Sequence, residues 1–270
     1  MMHAGVTAPG ARLLAMLLLP WGLFLLPPTP ALGQTAQELD AMHVPLKRHR
    51  PIYFVLSDEE SRVQLSFSFP FGPETGFHLA YSQTIYWSLF EDSLPVEAIR
   101  YQPELFYRFE RGSPWLQRVD IGLEHDSNGL DGDVSRTYDA AYLETVSYLD
   151  AGRRDVRWAN RLFAYYYLGK ENPDFPAYRS IYQTELSYHP GFIEGDRLML
   201  SGALRDRSKI EDREESGLGL GAYEIGYHFP MPYGENGSVH LYVQYYNGYN
   251  ETWRGYDERV SHLRAGFMVR

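Results

Sequence analysis

The stretch Val239-His240-Leu241-Tyr242-Val243-Gln244-Tyr245 alternates strictly: Val239, Leu241, Val243 and Tyr245 on one side, His240, Tyr242 and Gln244 on the other. A period of two is that of an extended strand, whose successive side chains point to opposite faces. The same alternation recurs in Val63-Gln64-Leu65-Ser66-Phe67-Ser68-Phe69, from Val156-Arg157-Trp158-Ala159 onward, and in Tyr182-Gln183-Thr184-Glu185-Leu186-Ser187-Tyr188. Helical spacing is scarce. Reading outward, the pattern predicts twelve strands near 51–57, 62–71, 76–88, 98–110, 115–127, 136–148, 154–167, 177–189, 195–206, 217–229, 237–248 and 258–268.

The connections differ in kind. Arg111-Gly112-Ser113-Pro114 and Asp150-Ala151-Gly152-Arg153 are tight, whereas Arg207-Ser208-Lys209-Ile210-Glu211-Asp212-Arg213-Glu214-Glu215-Ser216 is long and charged. Short turns at one end and long loops at the other predict an all-β, twelve-stranded antiparallel transmembrane β-barrel with the long loops outside. A soluble β-sandwich or lipocalin-like barrel also alternates. Strands of about ten residues, tyrosines and tryptophans near their ends and an even count favour the membrane barrel.

Composition agrees. Aromatic residues make up 15% of the 270 residues, 22 of them tyrosine, and the mean hydropathy is negative, as expected where apolar and polar residues alternate. Residues 1–33 read as a signal peptide: Arg12 precedes the apolar run Leu13 to Leu26, and Ala31-Leu32-Gly33 offers small residues for cleavage before Gln34. Residues 34–270 then form the barrel domain, with no apolar run long enough for a transmembrane helix. The absence of cysteine excludes disulfides and thiolate chemistry, and a net charge of −10 argues against nucleic acid as a partner.

Chemistry concentrates in Val119-Asp120-Ile121-Gly122-Leu123-Glu124-His125-Asp126-Ser127-Asn128-Gly129. Alternation puts His125 and Ser127 on the face of Val119, Ile121 and Leu123, and sends Asp120, Glu124 and Asp126 the other way. In a barrel the apolar face meets lipid, where a histidine and a serine are costly unless they satisfy one another near the interface. A neighbouring base turns a serine hydroxyl into a nucleophile. In the next strand, Tyr138-Asp139-Ala140-Ala141-Tyr142-Leu143-Glu144, a lumen-facing Glu144 sends Asp139 to the same lipid face. A carboxylate there can orient the imidazole, so strand pairing predicts a Ser-His-Asp triad on the outer wall. The plain alternative is that these are surface polar groups at headgroup level.

The run His125-Asp126-Ser127-Asn128-Gly129, with Ser135-Arg136 and Tyr138-Asp139 following in register, resembles the signature of the outer membrane phospholipase A family. The similarity extends to Val63–Phe71, Ala80-Tyr81-Ser82-Gln83, Tyr101-Gln102-Pro103-Glu104-Leu105-Phe106, Leu241-Tyr242-Val243-Gln244 and Gly248-Tyr249-Asn250-Glu251. The resemblance implies a twelve-stranded barrel, active as a calcium-bound homodimer, that hydrolyses acyl esters of phospholipids at A1 and A2 positions and of lysophospholipids. It implies Ser127 as nucleophile, His125 as general base and the Gly129 N–H as oxyanion donor. Asp139 stands where the family has asparagine, a departure that brings a charge near lipid. Calcium is implied at the Leu130 carbonyl and the Ser135 hydroxyl, with Ser93 supplied by the partner subunit; Asp131 and Asp133 stand nearby, and loop-surface acids are their plainer reading. Gln83 matches an interface glutamine, against which stands a lumen-facing position. With a periplasmic N-terminus, Ser93 and the 129–135 segment fall in one outer layer of an outer-membrane protein. The chain ends on Phe267-Met268-Val269-Arg270 rather than on an aromatic residue. A barrel that has lost catalysis and keeps a structural or pore role is the competing reading.

Overall fold

The computed structural model of the chain describes residues 46–71, 76–113, 115–149, 156–205, 219–231 and 238–269. The predicted signal peptide, the Asp150–Arg153 turn and the Arg207–Ser216 loop lie outside them. Twelve strands cross the described residues: β1 (Ile52–Leu56), β2 (Ser61–Pro70), β3 (Phe77–Trp87), β4 (Val96–Glu110), β5 (Arg118–Ser127), β6 (Thr137–Tyr148), β7 (Arg157–Leu168), β8 (Ser180–Tyr188), β9 (Arg197–Arg205), β10 (Leu220–Pro230), β11 (Val239–Tyr249) and β12 (Arg259–Val269). Each pairs antiparallel with its sequence neighbour, and β1 closes the barrel on β12, with Ile52 opposite Val269. Closure leaves no sheet edge with unpaired backbone groups, the condition for strands to stand in hydrocarbon. The strand count and order match the periodicity.

Exposure separates the two barrel readings. Along the quoted stretch, His240, Tyr242 and Gln244 are buried while Val243 is exposed. Elsewhere Leu65, Ile121 and Leu263 are 50, 53 and 65% exposed, whereas Glu124, Asp126 and Arg264 are 2, 0 and 0% exposed. A soluble lipocalin-like barrel buries its apolar rows. This one turns them outward and its charges inward, an arrangement that is stable only where the wall meets lipid. Strand lengths of about ten residues span the hydrocarbon layer. Phe267, near the chain end, is 45% exposed on that wall while Met268 turns inward and is buried.

The lumen beside β4 to β7 is filled by ion pairs. Glu104 and Glu124 stand directly opposite one another on β4 and β5, and two buried carboxylates at that spacing need cations. The N-terminal segment supplies Arg50, whose Nη2 lies 2.6 Å from Glu104 and 2.7 Å from Glu124. Arg161 of β7 completes the set at 3.0 Å from Glu124, 3.3 Å from Glu104 and 2.8 Å from Glu144. Beside this plug a cavity of about 710 Å³ remains, bordered by Arg50, Glu144 and Arg161 of the set and by Arg62, Met199 and Glu224. Removing one partner of such a set leaves charges stranded in low dielectric. Arg161→Ala is therefore expected to destabilise the barrel by about 3 kcal/mol, read as a lower urea midpoint for loss of the heat-modifiable folded band. An unchanged midpoint would mean that water replaces the guanidinium without cost.

Candidate functional site on the lipid-facing wall

In an up-and-down barrel the loops that follow odd strands share one end. Residues 88–95, 128–136, 169–179 and 250–258 therefore gather at the end where β5 stops, at Ser127. On β5, Asp120, Glu124 and Asp126 are buried, Ile121 and Leu123 are exposed, and His125 and Ser127 are half-buried on the outer side. The register sets His125 directly opposite Asp139 of β6, and Ser127 opposite Thr137. Imidazole Nδ1 and the Asp139 Oδ1 are 2.6 Å apart. An ionised carboxylate can only accept, which puts the ring proton on Nδ1 and leaves Nε2 as the basic nitrogen. The Ser127 hydroxyl makes no hydrogen bond among the described residues. Such contacts commonly tighten only when substrate is bound.

Two features that alternation alone does not disclose shape this corner. The β6–β7 pairing slips beside Asp139, which faces Tyr167 while Ala140 faces Tyr165. The extra residue, Tyr166, forms a bulge of the kind that re-aims neighbouring side chains. On the other flank, Tyr101 of β4 lies opposite Ser127 and its ring covers Gly129. Gly129 has φ +69°, and a Cβ there would meet Tyr101 Cε2 at 2.6 Å. Both conformation and space demand glycine here.

Asn128 holds the loop that follows. Its Oδ1 accepts the N–H groups of Leu130 at 3.2 Å and Arg136 at 3.1 Å, and its Nδ2 donates to the Val134 carbonyl at 2.7 Å. The clamp closes a short 3₁₀ turn, Gly132–Val134. Neither the Leu130 carbonyl nor the Ser135 hydroxyl engages in a hydrogen bond among the described residues, so two uncharged oxygens of this loop stay available to a ligand. They suit a hard cation such as calcium, which takes carbonyl, hydroxyl and water oxygens. Among the described residues no three His, Cys, Asp or Glu side chains form a metal-holding group. Asp131 caps the turn by accepting the Gly132 N–H at 2.8 Å, which is a structural task.

Ser93 makes no hydrogen bond to these oxygens among the described residues. It is exposed in the 88–95 loop, where Ser93 and Leu94 have φ of 68° and 48°. Consecutive non-glycine residues in the left-handed region are strained and persist only where their surroundings hold them. Here the Trp87 indole N–H donates to the Leu94 carbonyl at 2.8 Å. Gln83 lies on the outer wall, not in the lumen, opposite Leu65 and Tyr101 and accepting the Tyr81 hydroxyl at 3.1 Å. Gln83, Tyr101 and Ser127 thus form one row across three strands. Sequence reasoning missed Tyr101 and Asn128 as parts of the site; both lie in the stretches that carried it, but their tasks depend on register and loop closure.

The fold is that of a transmembrane β-barrel, with a serine, a histidine and an aspartate grouped on its lipid-facing wall. The chain belongs to the phospholipase A1 family, whose pattern it matches over residues 29–269. The Escherichia coli K12 phospholipase A1 is 28% identical over 224 residues, covering 78% of this chain and 70% of that protein. The fold resembles that of outer membrane phospholipase A from Escherichia coli, with a TM-score of 0.70 at 24% identity over 83% of this chain and 91% of that one. A Salmonella typhi outer membrane phospholipase, solved as a dimer with bound calcium, aligns with a TM-score of 0.68 at 25% identity over 84% of this chain and 92% of that one.

Proposed function

We propose that the protein is a calcium-dependent outer-membrane phospholipase that cleaves acyl esters of phospholipids, at A1 and A2 positions and in lysophospholipids, using Ser127, His125 and Asp139. The observation that carries the reading is the 2.6 Å contact between His125 and Asp139 on the outer wall beside the exposed Ile121, Leu123 and Leu143, with Ser127 two residues along the same face. Polar groups are expensive there unless they do chemistry on lipid.

In this reading the Ser127 Oγ attacks the ester carbonyl carbon while His125 Nε2 takes its proton. Asp139 keeps the ring in the reactive tautomer and stabilises the imidazolium. The carbonyl oxygen, now negative, accepts the Gly129 N–H. His125 returns the proton to the departing alcohol oxygen as its bond to the carbonyl carbon breaks, so the alcohol leaves as lysophospholipid and the acyl group stays on Ser127. Water then attacks that ester, His125 takes its proton, and collapse restores Ser127 and releases the fatty acid. Calcium held by the Leu130 carbonyl, the Ser135 hydroxyl and Ser93 of a second copy would supply positive charge beside the oxyanion.

Hydrolysis of detergent-dispersed phospholipid, with calcium or with chelator, tests the function. Absence of ester cleavage at any calcium concentration would leave the chain a barrel without this chemistry, for which the lumen cavity offers a pore role to examine by conductance.

Asp139→Asn is expected to keep activity within about tenfold of wild type, because the amide oxygen can still accept the Nδ1 proton. Asp139→Ala is expected to lose about 10²-fold in kcat. Equal activity of the alanine and asparagine variants would mean that His125 works without an orienting partner. The reading also requires export: mature protein is expected to begin near Gln34, and mass spectrometry finding Met1–Gly33 retained would contradict it.

A further inference from the structure

We propose that Asp126 and Trp253 form a latch through the barrel lumen that positions the catalytic strand, a role distinct from that of the residues that touch substrate. The proposal rests on the assignment of Ser127 and His125 as the reacting pair. Asp126 sits between them and points the opposite way, 0% exposed. Its Oδ2 accepts from Arg100 Nε at 2.7 Å and Gln102 Nε2 at 2.9 Å, both on β4. Its Oδ1 accepts the indole N–H of Trp253 at 3.0 Å. Trp253 belongs to the loop between β11 and β12, six strands away in order around the barrel.

The need for such a tie follows from where the chemistry is. Ser127 ends β5, one residue before the last backbone bond to the segment leading into β6, from the Asn128 N–H to the Arg136 carbonyl at 3.1 Å, and strand ends fray most readily. Its outer side faces lipid, which offers no shaped packing surface to hold a hydroxyl and an imidazole in register. Beyond the Asp139 and Tyr101 contacts on the outer wall, the packed lumen side supplies the rest of the hold. There the Trp253 ring stacks on Phe175, 4.7 Å between centroids and 21° between planes, and lies 5.8 Å from Tyr138. The Tyr138 hydroxyl donates to Glu124 Oε1 at 2.6 Å. Lumen neighbours of all three proposed catalytic residues, namely Glu124 and Asp126 beside His125 and Ser127, and Tyr138 beside Asp139, are thus bound to one aromatic cap.

The loop carrying Trp253 is itself ordered by local bonds. Asn250 N–H donates to the Glu258 carbonyl at 2.8 Å, and Thr252 N–H to Asn250 Oδ1 at 3.0 Å. A preordered loop can transmit position, because it loses little freedom when it grips the carboxylate.

The test uses full-length protein with calcium and detergent-dispersed phospholipid. Trp253→Phe removes the indole N–H but keeps an aromatic ring against Phe175 and leaves both β4 bonds to Asp126 in place. The expected result is a kcat lowered about tenfold with KM and barrel unfolding temperature unchanged, since small misplacements of reacting groups cost rate rather than binding. Asp126→Asn, which keeps one acceptor oxygen, should retain more activity than Asp126→Ala. Combining Trp253→Phe with Asp126→Ala should lower kcat no further than Asp126→Ala alone, because both act through one bond. Trp115→Phe, at an exposed tryptophan of another loop, should change nothing. Wild-type kcat in Trp253→Phe, or a loss of kcat that tracks a lowered unfolding temperature, overturns the latch. Ser127→Ala run beside these variants separates the two ideas: if it still hydrolyses ester, the assignment of the reacting pair fails, and if it is inactive while Trp253→Phe is normal, the latch alone fails.

Discussion

Ser127→Ala is expected to lower phospholipid hydrolysis by at least ~10³-fold, His125→Ala by a similar factor, and the double variant by no more than either. A nucleophile and its base act on one proton, so removing either removes the step. The barrel should stay folded in all three, because both side chains are half-buried on the outer wall and neither takes part in the lumen ion pairs. Heat-modifiable mobility on gels checks folding independently of activity. A His125→Ala variant near wild type, or a double variant whose losses multiply, would mean that the two residues do not work as a unit.

Mixing two inactive variants is expected to restore activity. If calcium is held by Leu130 and Ser135 of one copy and Ser93 of the other, Ser93→Ala and Ser135→Ala homodimers each lack an oxygen ligand in both sites. In a mixed dimer, symmetry places both losses in the same site. The other site combines the intact Ser135 of the first variant with the intact Ser93 of the second. An equal mixture, in which half of the dimers are mixed and each holds one complete site of two, should recover about one quarter of wild-type turnover at limiting calcium. Calcium should also raise the dimer fraction seen by cross-linking, since a cation bound more tightly by the dimer favours it through linkage. Turnover in the mixture no higher than the mean of the two variants would rule out a site shared between subunits.

Much was legible because barrel strands report their two faces at a period of two. The row Val239, Leu241, Val243 against His240, Tyr242, Gln244 is enough to assert a two-faced strand, and its recurrence supplies the strand count. Whether the apolar row faces a core or a solvent of lipid is not written in that alternation. The burial of Glu124, Asp126 and Arg264 beside the exposure of Leu65 and Leu263 decides it.

The sequence by itself determined the strand order, the shared outer face of His125, Ser127 and Asp139, and the glycine at 129. Each of these is local, set by side-chain alternation or by one residue's backbone freedom. Only the tertiary structure decided that Asp139 faces His125, since a two-residue shift of β6 would have kept its carboxylate on the same face but set it opposite Leu123 or Ser127. The same holds for the bulge at Tyr166, which depends on how β7 pairs, and for the Asn128 clamp, which depends on loop closure. Farthest from the sequence stands the contact of Trp253 with Asp126, 127 residues apart along the chain. Nothing local records it, because it exists only once closure of β1 on β12 brings opposite walls of the barrel across one narrow lumen.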